Sequence, residues 1–498
     1  MNQTHPYKEQ IAEVKELLKV LATTYQIEYP AELASLFEQF SALLIYTLPQ
    51  IPNRSSKMPG WLNALRHINE PLNLRSEQRI EFMNARIRDI PIYTQIPSLS
   101  VLTEVTITIN RPAILERMME AADQIVELLY AQDEYAILPE IMDYFLDLCY
   151  YKDKKRDAYR TPVHISDFIV SLLSQNRGPN QPNVIKFYDP ACGSGAFLAS
   201  ASKYFTDRPL ILHGNEKNDQ LRRLALFHAL FHGLDLQITN DDLPIEPLAF
   251  NKHYNFVLTN PPFNTVPLEQ PLYFDGMQIQ QQYHALILHA LDTTMLGGTT
   301  AIVVPDSFLF ATQSTVKRIR QWMLQAFTLE GIIGLPARTF SPQAAIRASI
   351  LFLTRPESVQ RQAATEHVFF YQLEAEGPSN GRTSSQASQE RFSDALSAWG
   401  QRFAHYQEWQ EKRHTAADNL FGIATPRDWP HEQYWYAHME DIQHADYILL
   451  PRHYQPLKPL NITGDPPEAL LQEYIAMQEE ILRDMWELLE GVGGDGAI

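Results

Sequence analysis

The sequence predicts an α/β protein whose mostly parallel sheet is preceded by a helical region and followed by a helical arm. Three observations carry this. From about residue 161, short apolar runs alternate with helical repeats, the pattern of a sheet with helices on both faces. Residues 1–150 place apolar side chains at three- and four-residue spacing. A last amphipathic run lies behind a proline-rich stretch. The chain of 498 residues, 45% hydrophobic and 20% charged, has the composition of an ordinary globular protein. No apolar run reaches the roughly 18 residues of a membrane span. The first residues lack a signal-peptide core, and Cys149 and Cys192 stand too far apart for a ligand cluster. A reducing cytoplasm is the expected setting.

In the first 150 residues, Ala12–Leu21, Ile114–Leu129 behind Pro112, and Ile137–Cys149 read as helices. Residues 50–100 are less regular, and Val101–Ile109 alternates like a strand. Further on, Val184–Tyr188, Leu210–His213, Asn255–Thr259 and Thr300–Val304 read as strands, with helices at Asp219–Gly233 and Gln281–Leu296 between them. Leu329–Leu335 and Ser349–Thr354 suit an antiparallel hairpin at the sheet edge. Gly377–Gln389 reads as a loop, Phe392–Arg413 as a helix, 445–465 as extended chain and Pro466–Leu489 as a final helix. The expected organisation is a helical domain at 1–150, a catalytic domain at 151–375, an accessory segment at 376–455 and a docking helix within 456–498.

The most informative stretch is Asn260-Pro261-Pro262-Phe263, behind the apolar strand Phe256-Val257-Leu258-Thr259. Two prolines fix their own φ and hold the preceding residues extended. A carboxamide oxygen, a backbone carbonyl and an aromatic face in fixed relation can grip a planar exocyclic amine. A second element, Asp189-Pro190-Ala191-Cys192-Gly193-Ser194-Gly195, follows the first strand. Glycines there admit a ligand close to the backbone, beside a helix N-terminus. Leu198 stands where a dinucleotide loop would want its third glycine, and Asp189 sets a negative charge beside the loop. This suits a cationic ligand, such as the sulfonium and ammonium of S-adenosylmethionine, better than a pyrophosphate. Glu216, at the end of the second strand, can accept from both hydroxyls of a ribose. Asp241 can accept from an adenine amino group. Either acid alone would read as a solvated loop carboxylate; in this order they read as a cofactor site.

These elements resemble the N6-adenine DNA methyltransferases, most closely the modification subunits of type I restriction–modification systems. Tyr159-Arg160-Thr161-Pro162 resembles the family's aromatic-Thr-Pro element, Gly297–Asp306 its fifth-strand signature, and Ile332–Pro336 with Ala348–Leu353 its final hairpin. The likeness covers roughly 135–375. Asp157 and Arg160 depart from the family's Gly and second aromatic. The resemblance implies a Rossmann-like S-adenosylmethionine-dependent methyltransferase core with a mostly parallel seven-stranded sheet and a terminal antiparallel hairpin. It implies cofactor contacts from Tyr159, Thr161, Pro162, Asp189, Ala191, Gly193, Ser194, Gly195, Phe197, Glu216 and Asp241. It assigns catalysis to Asn260, Pro261, Pro262 and Phe263: the adenine is flipped out, Phe263 stacks on it, and Asn260 and the Pro261 carbonyl accept the amino hydrogens. No metal and no covalent intermediate are expected, so Cys192 reads as a packing residue.

The net charge of −18 lacks the basic footprint of a protein that binds DNA unaided. Lys152, Lys154, Lys155 and Arg156 form the densest basic run and are candidates for phosphate contact; the alternative is a solvated linker. Double-stranded DNA, a separate sequence-specificity subunit and a restriction or translocase subunit are the implied partners, with Leu449–Tyr454 and the helix after Pro466 as docking candidates. Two other readings remain: the same chemistry on protein glutamine or RNA amino groups, and a catalytically silent subunit.

Overall fold

The computed structural model describes residues 8–29, 33–48, 81–89, 97–109, 111–132, 135, 137–151, 161–175, 182–241, 254–263, 266–337, 339–340, 346–358, 365–373, 384–413, 416–426, 428–457, 475 and 478. The chain divides into two compact units, Met1–Ile302 with Phe340–Ala344, and Val303–Thr339 with Ala345–Ile498.

The first unit opens with helices α1 (Lys8–Glu28), α2 (Leu33–Thr47), α3 (Pro112–Gln132) and α4 (Ile137–Tyr151). Their apolar stripes meet in one core that includes Leu18, Phe37, Phe40, Ile125 and Phe145. The 101–109 segment is not a strand: it is a 3-10 turn, Pro97–Thr103, followed by extended chain. Its alternating burial is real, with Val105, Ile107 and Ile109 inside. Its backbone groups pair with side-chain amides instead of a neighbouring strand. Asn84 brackets Ile107 by accepting from its N–H at 2.9 Å and donating to its carbonyl at 3.0 Å, and Gln39 accepts from the Thr108 N–H at 2.7 Å.

After helix α5 (Val163–Gln175) come β1 (Ile185–Asp189), α6 (Ala196–Tyr204), β2 (Leu210–Asn215), α7 (Asp219–Phe231), β3 (Leu236–Thr239) and β4 (Tyr254–Thr259). A hairpin follows, β5 (Pro267–Phe274) and β6 (Met277–Gln281), then α8 (Gln282–Thr293) and β7 (Thr294–Pro305). The hairpin, which the sequence reading lacked, turns on Asp275-Gly276, both at positive φ (45° and 69°), as a two-residue hairpin loop requires. Helix α8 stops at Thr293 rather than Leu296, and β7 starts six residues earlier than Thr300, where its Thr294 end pairs with Tyr254. The parallel strands of this unit run in the order β7-β4-β1-β2-β3. Strand β1 leaves toward β2 on one side and β4 on the other. The crevice at the carboxyl end of such a central strand is where α/β sheets hold ligands. Helix α7 caps one side and sends Leu224, Phe227 and Leu230 into the core of the N-terminal helices.

The second unit continues with α9 (Asp306–Phe310), α10 (Ser314–Ala326), β8 (Thr328–Gly334), β9 (Ala348–Thr354) and β10 (His367–Gln372). Then follow α11 (Ser384–Gly400), α12 (Arg402–Lys412), the β11 (Ala416–Asp418) and β12 (Ala424–Pro426) ribbon, β13 (Tyr434–His438) and α13 (Met439–His444). Strands β8 and β9 form the expected antiparallel pair, but β10 adds parallel to β8 and β13 antiparallel to β10, giving the order β13-β10-β8-β9. Within this unit the expected β8–β9 hairpin therefore carries β10 and β13 beyond β8 and does not end the sheet on that side. Both added strands are aromatic-rich runs: Phe369 packs against Trp399 and Tyr436, and Trp435, fully buried, donates to the Pro451 carbonyl at 3.0 Å. Helix α11 begins at Ser384, inside the expected loop, because Gln, Ala and Glu sustain a helix through the serines; Gly400 then breaks the single expected helix in two.

Leu449, Pro451 and Tyr454, expected to face a partner, are buried in their own unit, and Tyr454 stacks on Phe370 at 5.0 Å. Only Leu450, Arg452 and His453 of that segment reach the surface. The Pro466–Leu489 helix lies outside the described residues except for Ile475 and Gln478, both helical and exposed. No helix among the described residues is long and apolar enough to cross a membrane.

Candidate active site

The crevice at the ends of β1, β2, β3 and β4 collects most of the residues singled out in the sequence. Thr161, Asp189, Ala191, Gly193, Ser194, Phe197, Glu216, Asp241, Asn260 and Pro262 line one pocket. Pro162, Gly195, Pro261 and Phe263, each adjacent in sequence to a lining residue, are not among those that line it. Tyr159, Lys152, Lys154, Lys155 and Arg156 fall outside the described residues. The reading missed Asn215, Lys217, Leu221, Gln282 and Leu286, which also line it.

The loop after β1 is held by its own backbone. Gly193 and Gly195 adopt positive φ (53° and 79°), a conformation that favours glycine, and Gly195 is the N-cap of α6. The Gly195 N–H donates to the Cys192 carbonyl at 2.7 Å and the Cys192 N–H to the Asn215 carbonyl at 3.0 Å. Asn215, buried at 7% exposure, joins the next loop: its side chain accepts from the Asp241 N–H at 3.1 Å and from Thr239 at 2.9 Å, and donates to the Asp241 carbonyl at 3.1 Å. This residue stood beside Glu216 in the sequence, but its bridging role depends on β3 lying next to β2.

Both Glu216 oxygens accept backbone N–H groups, from Gly193 at 2.9 Å and Asn218 at 2.8 Å. A carboxylate oxygen has a second lone-pair site, so each can still accept a hydroxyl. Burial raises the Glu216 carboxyl above its usual range. Asp189, only 1% exposed, is raised further, to about 8; burial is the cause, opposed by the Ala191 N–H at 3.1 Å. Three acids and one cation, Lys217, line the described pocket. That balance fits a cationic ligand, whose charge would return Asp189 to its ionised form. Cys192 is buried, and burial beside Asp189 and Glu216 pushes its thiol well up, opposing a nucleophilic thiolate.

At the end of β4, the Asn260 side-chain nitrogen donates to the Thr161 hydroxyl at 3.0 Å. With its nitrogen engaged, the carboxamide keeps its oxygen to accept from an amine. Thr161, anticipated as a cofactor contact, thus also sets the orientation of Asn260. Pro261 is buried, and the Phe263 ring stands edge-on to Tyr283 (6.3 Å, 82°) and Phe340 (6.1 Å, 85°). Phe340 comes from a loop far along the chain, and no sequence signal tied it to Phe263.

Known proteins share sequence and fold with much of this chain. The type I restriction enzyme EcoEI methylase subunit of Escherichia coli is 24% identical over 340 residues, 65% of this chain and 62% of that one. The HindI methylase subunit of Haemophilus influenzae is 25% identical over 44% of this chain and 51% of its own length. The chain thus spans about half to three fifths of these relatives. Among solved structures, a type I restriction-modification methyltransferase subunit from Streptococcus thermophilus superposes with a TM-score of 0.58 at 16% identity, covering 90% of this chain and 98% of that one. A modification subunit of a putative type I restriction enzyme from Vibrio vulnificus YJ016 gives 0.55 at 16%, covering 93% and 100%. The fold is therefore shared with these subunits. The model of the N-6 DNA Methylase family matches residues 133–460, and the chain belongs to that family.

Proposed function

We propose that this chain transfers a methyl group from S-adenosylmethionine to the N6 amino group of an adenine in duplex DNA, as the modification subunit of a restriction–modification or related phage-defence complex. The observation that carries the reading is the meeting of Asn260 and Pro262 with Asp189, Glu216 and Asp241 in one pocket. Family membership and the likeness to type I methylase subunits support it. S-adenosylmethionine, when bound, supplies an electrophilic methyl on a sulfonium.

The chain's own residues do the rest by position. Asp189 meets the ligand's positive charge, the free lone pairs of Glu216 accept ribose hydroxyls, and Asp241 accepts from the adenine amine of the ligand. Asn260, oriented by Thr161, and the Pro261 carbonyl accept the two hydrogens of the target amine, which turns its lone pair toward the methyl. Phe263 stacks on the base extruded from the duplex. Such catalysis is placement and electrostatics.

A separate subunit is proposed to read the DNA sequence and supply much of the phosphate contact, consistent with the net charge of −18; a restriction or translocase subunit would complete the assembly. The domain organisation with boundaries near 150, 375 and 455 is proposed likewise. Labelled-methyl transfer to duplex DNA, RNA and protein, with and without neighbour-encoded partners, tests this. Label on the N6 of adenine, lost in Asn260→Ala, is expected. Label on protein glutamine or RNA alone would move the substrate, and no transfer with any partner would leave the silent-subunit reading.

A further inference from the structure

Behind the cofactor loop lies a polar cluster that the chemistry above does not use. Asp143 of α4, His228 of α7 and His232 just beyond it bring their polar atoms within 4.8 Å of one another. Asp143 Oδ1 lies 2.7 Å from His228 Nε2 and 2.9 Å from His232 Nε2. These spacings decide between a metal site and a hydrogen-bonded one. Ligand atoms around a tetrahedral zinc stand about 3.3 Å apart; 2.7 and 2.9 Å are hydrogen-bond distances. Burial raises the Asp143 carboxyl, but the charge and hydrogen bonds of the two histidines outweigh it and hold Asp143 below the usual carboxylate range.

The other His228 nitrogen, Nδ1, lies 2.8 Å from the Ser194 carbonyl. The ring is thus tied at both ends, to the Ser194 carbonyl through Nδ1 and to the Asp143 carboxyl through Nε2. We propose that His228 is a positioning residue for methyl transfer: it clamps the Ser194–Gly195 peptide of the cofactor loop to Asp143 on the N-terminal helical layer. The peptide needs such a clamp because it leads into Gly195, whose positive φ (79°) and missing Cβ make a flip of that peptide sterically easy. A flip would break the Gly195 N–H bond to Cys192 and turn the Ser194 carbonyl away from His228. His228 is 2% exposed, so no water can readily replace it. The inference rests on the reading of this pocket as the S-adenosylmethionine site.

Two conservative variants separate the two ends of the clamp. His228→Asn carries an amide nitrogen at the δ position and can keep the Ser194 bond while losing Asp143. His228→Gln carries one at the ε position and can keep Asp143 while losing Ser194. With the full chain, calorimetric S-adenosylmethionine binding should weaken about 10- to 100-fold in His228→Gln and His228→Ala, the range for leaving a buried carbonyl without its donor. His228→Asn should recover most of that loss, although both amide variants lose thermal stability. Hydrogen exchange of the 190–197 peptide, measured without cofactor, should quicken in His228→Gln and stay near wild type in His228→Asn. Equal exchange in the two variants, or binding losses that follow melting temperature alone, would overturn the clamp. A wild-type chain that fails to bind S-adenosylmethionine yet shows the exchange split would instead sink the cofactor reading. If EDTA lowers the wild-type melting temperature and zinc restores it, the cluster is a metal site and the clamp is wrong.

Discussion

Asp189 gives the sharpest test of the pocket's electrostatics. Its carboxyl is raised from the usual 3.8 to about 8 by burial, so ionising it in the empty pocket costs roughly 6 kcal/mol. At pH 7 about nine in ten such carboxyls hold a proton. A bound sulfonium and ammonium favour the carboxylate, so binding should release close to one proton per site at that pH. Below pH 8 the affinity for S-adenosylmethionine should fall as pH falls, by up to about tenfold per unit, since the lost proton must be removed against a rising concentration. Glu216, also raised by burial, acts with the same sign, so Asp189→Asn is needed to isolate the effect. That variant mimics the protonated acid. It should fold normally, bind S-adenosylmethionine more weakly at pH 8, and show a flatter pH dependence. The sign for stability is the opposite of an ordinary surface acid. The folded pKa exceeds the unfolded one, so this group's contribution is full below about pH 3.8 and is lost as pH rises through about 8. The assay is isothermal titration from pH 6 to 9 in buffers of different ionisation enthalpy, which counts the protons. Flat affinity, no proton release and an Asp189→Asn variant that binds like wild type would together refute the argument.

Further outcomes follow from single contacts. Asn260→Ala should lower kcat by about a hundredfold or more while leaving cofactor binding intact, checked by single-turnover methylation. Thr161→Val removes the hydroxyl that engages the Asn260 nitrogen, so kcat should fall more than the KM for DNA rises. Phe263→Ala should raise the KM for DNA about 10- to 100-fold if the ring stacks on the base. A methyl at Gly214 would meet Cys192 Sγ at 2.8 Å, its Cβ at 3.2 Å and Leu198 Cδ1 at 3.3 Å. Gly214→Ala should therefore displace the cofactor loop and weaken binding by about 1–3 kcal/mol, with part of the loss recovered by adding Cys192→Ala. In the second unit Arg320, 1% exposed, donates to the carbonyls of Phe308, Ala311 and Tyr447 at 2.7–2.8 Å. Arg320→Met should cost about 3 kcal/mol or more in urea unfolding, because three carbonyls lose their donor.

The local chemistry of this protein was legible residue by residue. Asn260–Phe263 is a stiff segment because prolines restrict their own and their neighbours' dihedrals, and Gly193 with Gly195 bend the cofactor loop because they lack Cβ; such constraints act within a few residues and need no fold to read. The strands that carry the site, and the acids Asp189, Glu216 and Asp241 that follow the first three βα units, were visible for the same reason, as alternation of apolar runs with turn residues. What escaped depended on distant partners. The 101–109 segment looked like a strand, and only Gln39 and Asn84 occupying its backbone groups made it something else. Strands β10 and β13 carried aromatic β-formers, yet their place in the sheet required edges supplied by β8 and by each other. Asn215 bridging to Asp241, Phe340 against Phe263 and His228 between Ser194 and Asp143 join residues 26 to 85 positions apart. The sequence by itself determined which groups could do the chemistry, through short-range covalent and steric rules. Tertiary structure alone decided which of them meet, in what protonation state and with what support, because burial and long-range hydrogen bonding exist only once the chain has closed on itself.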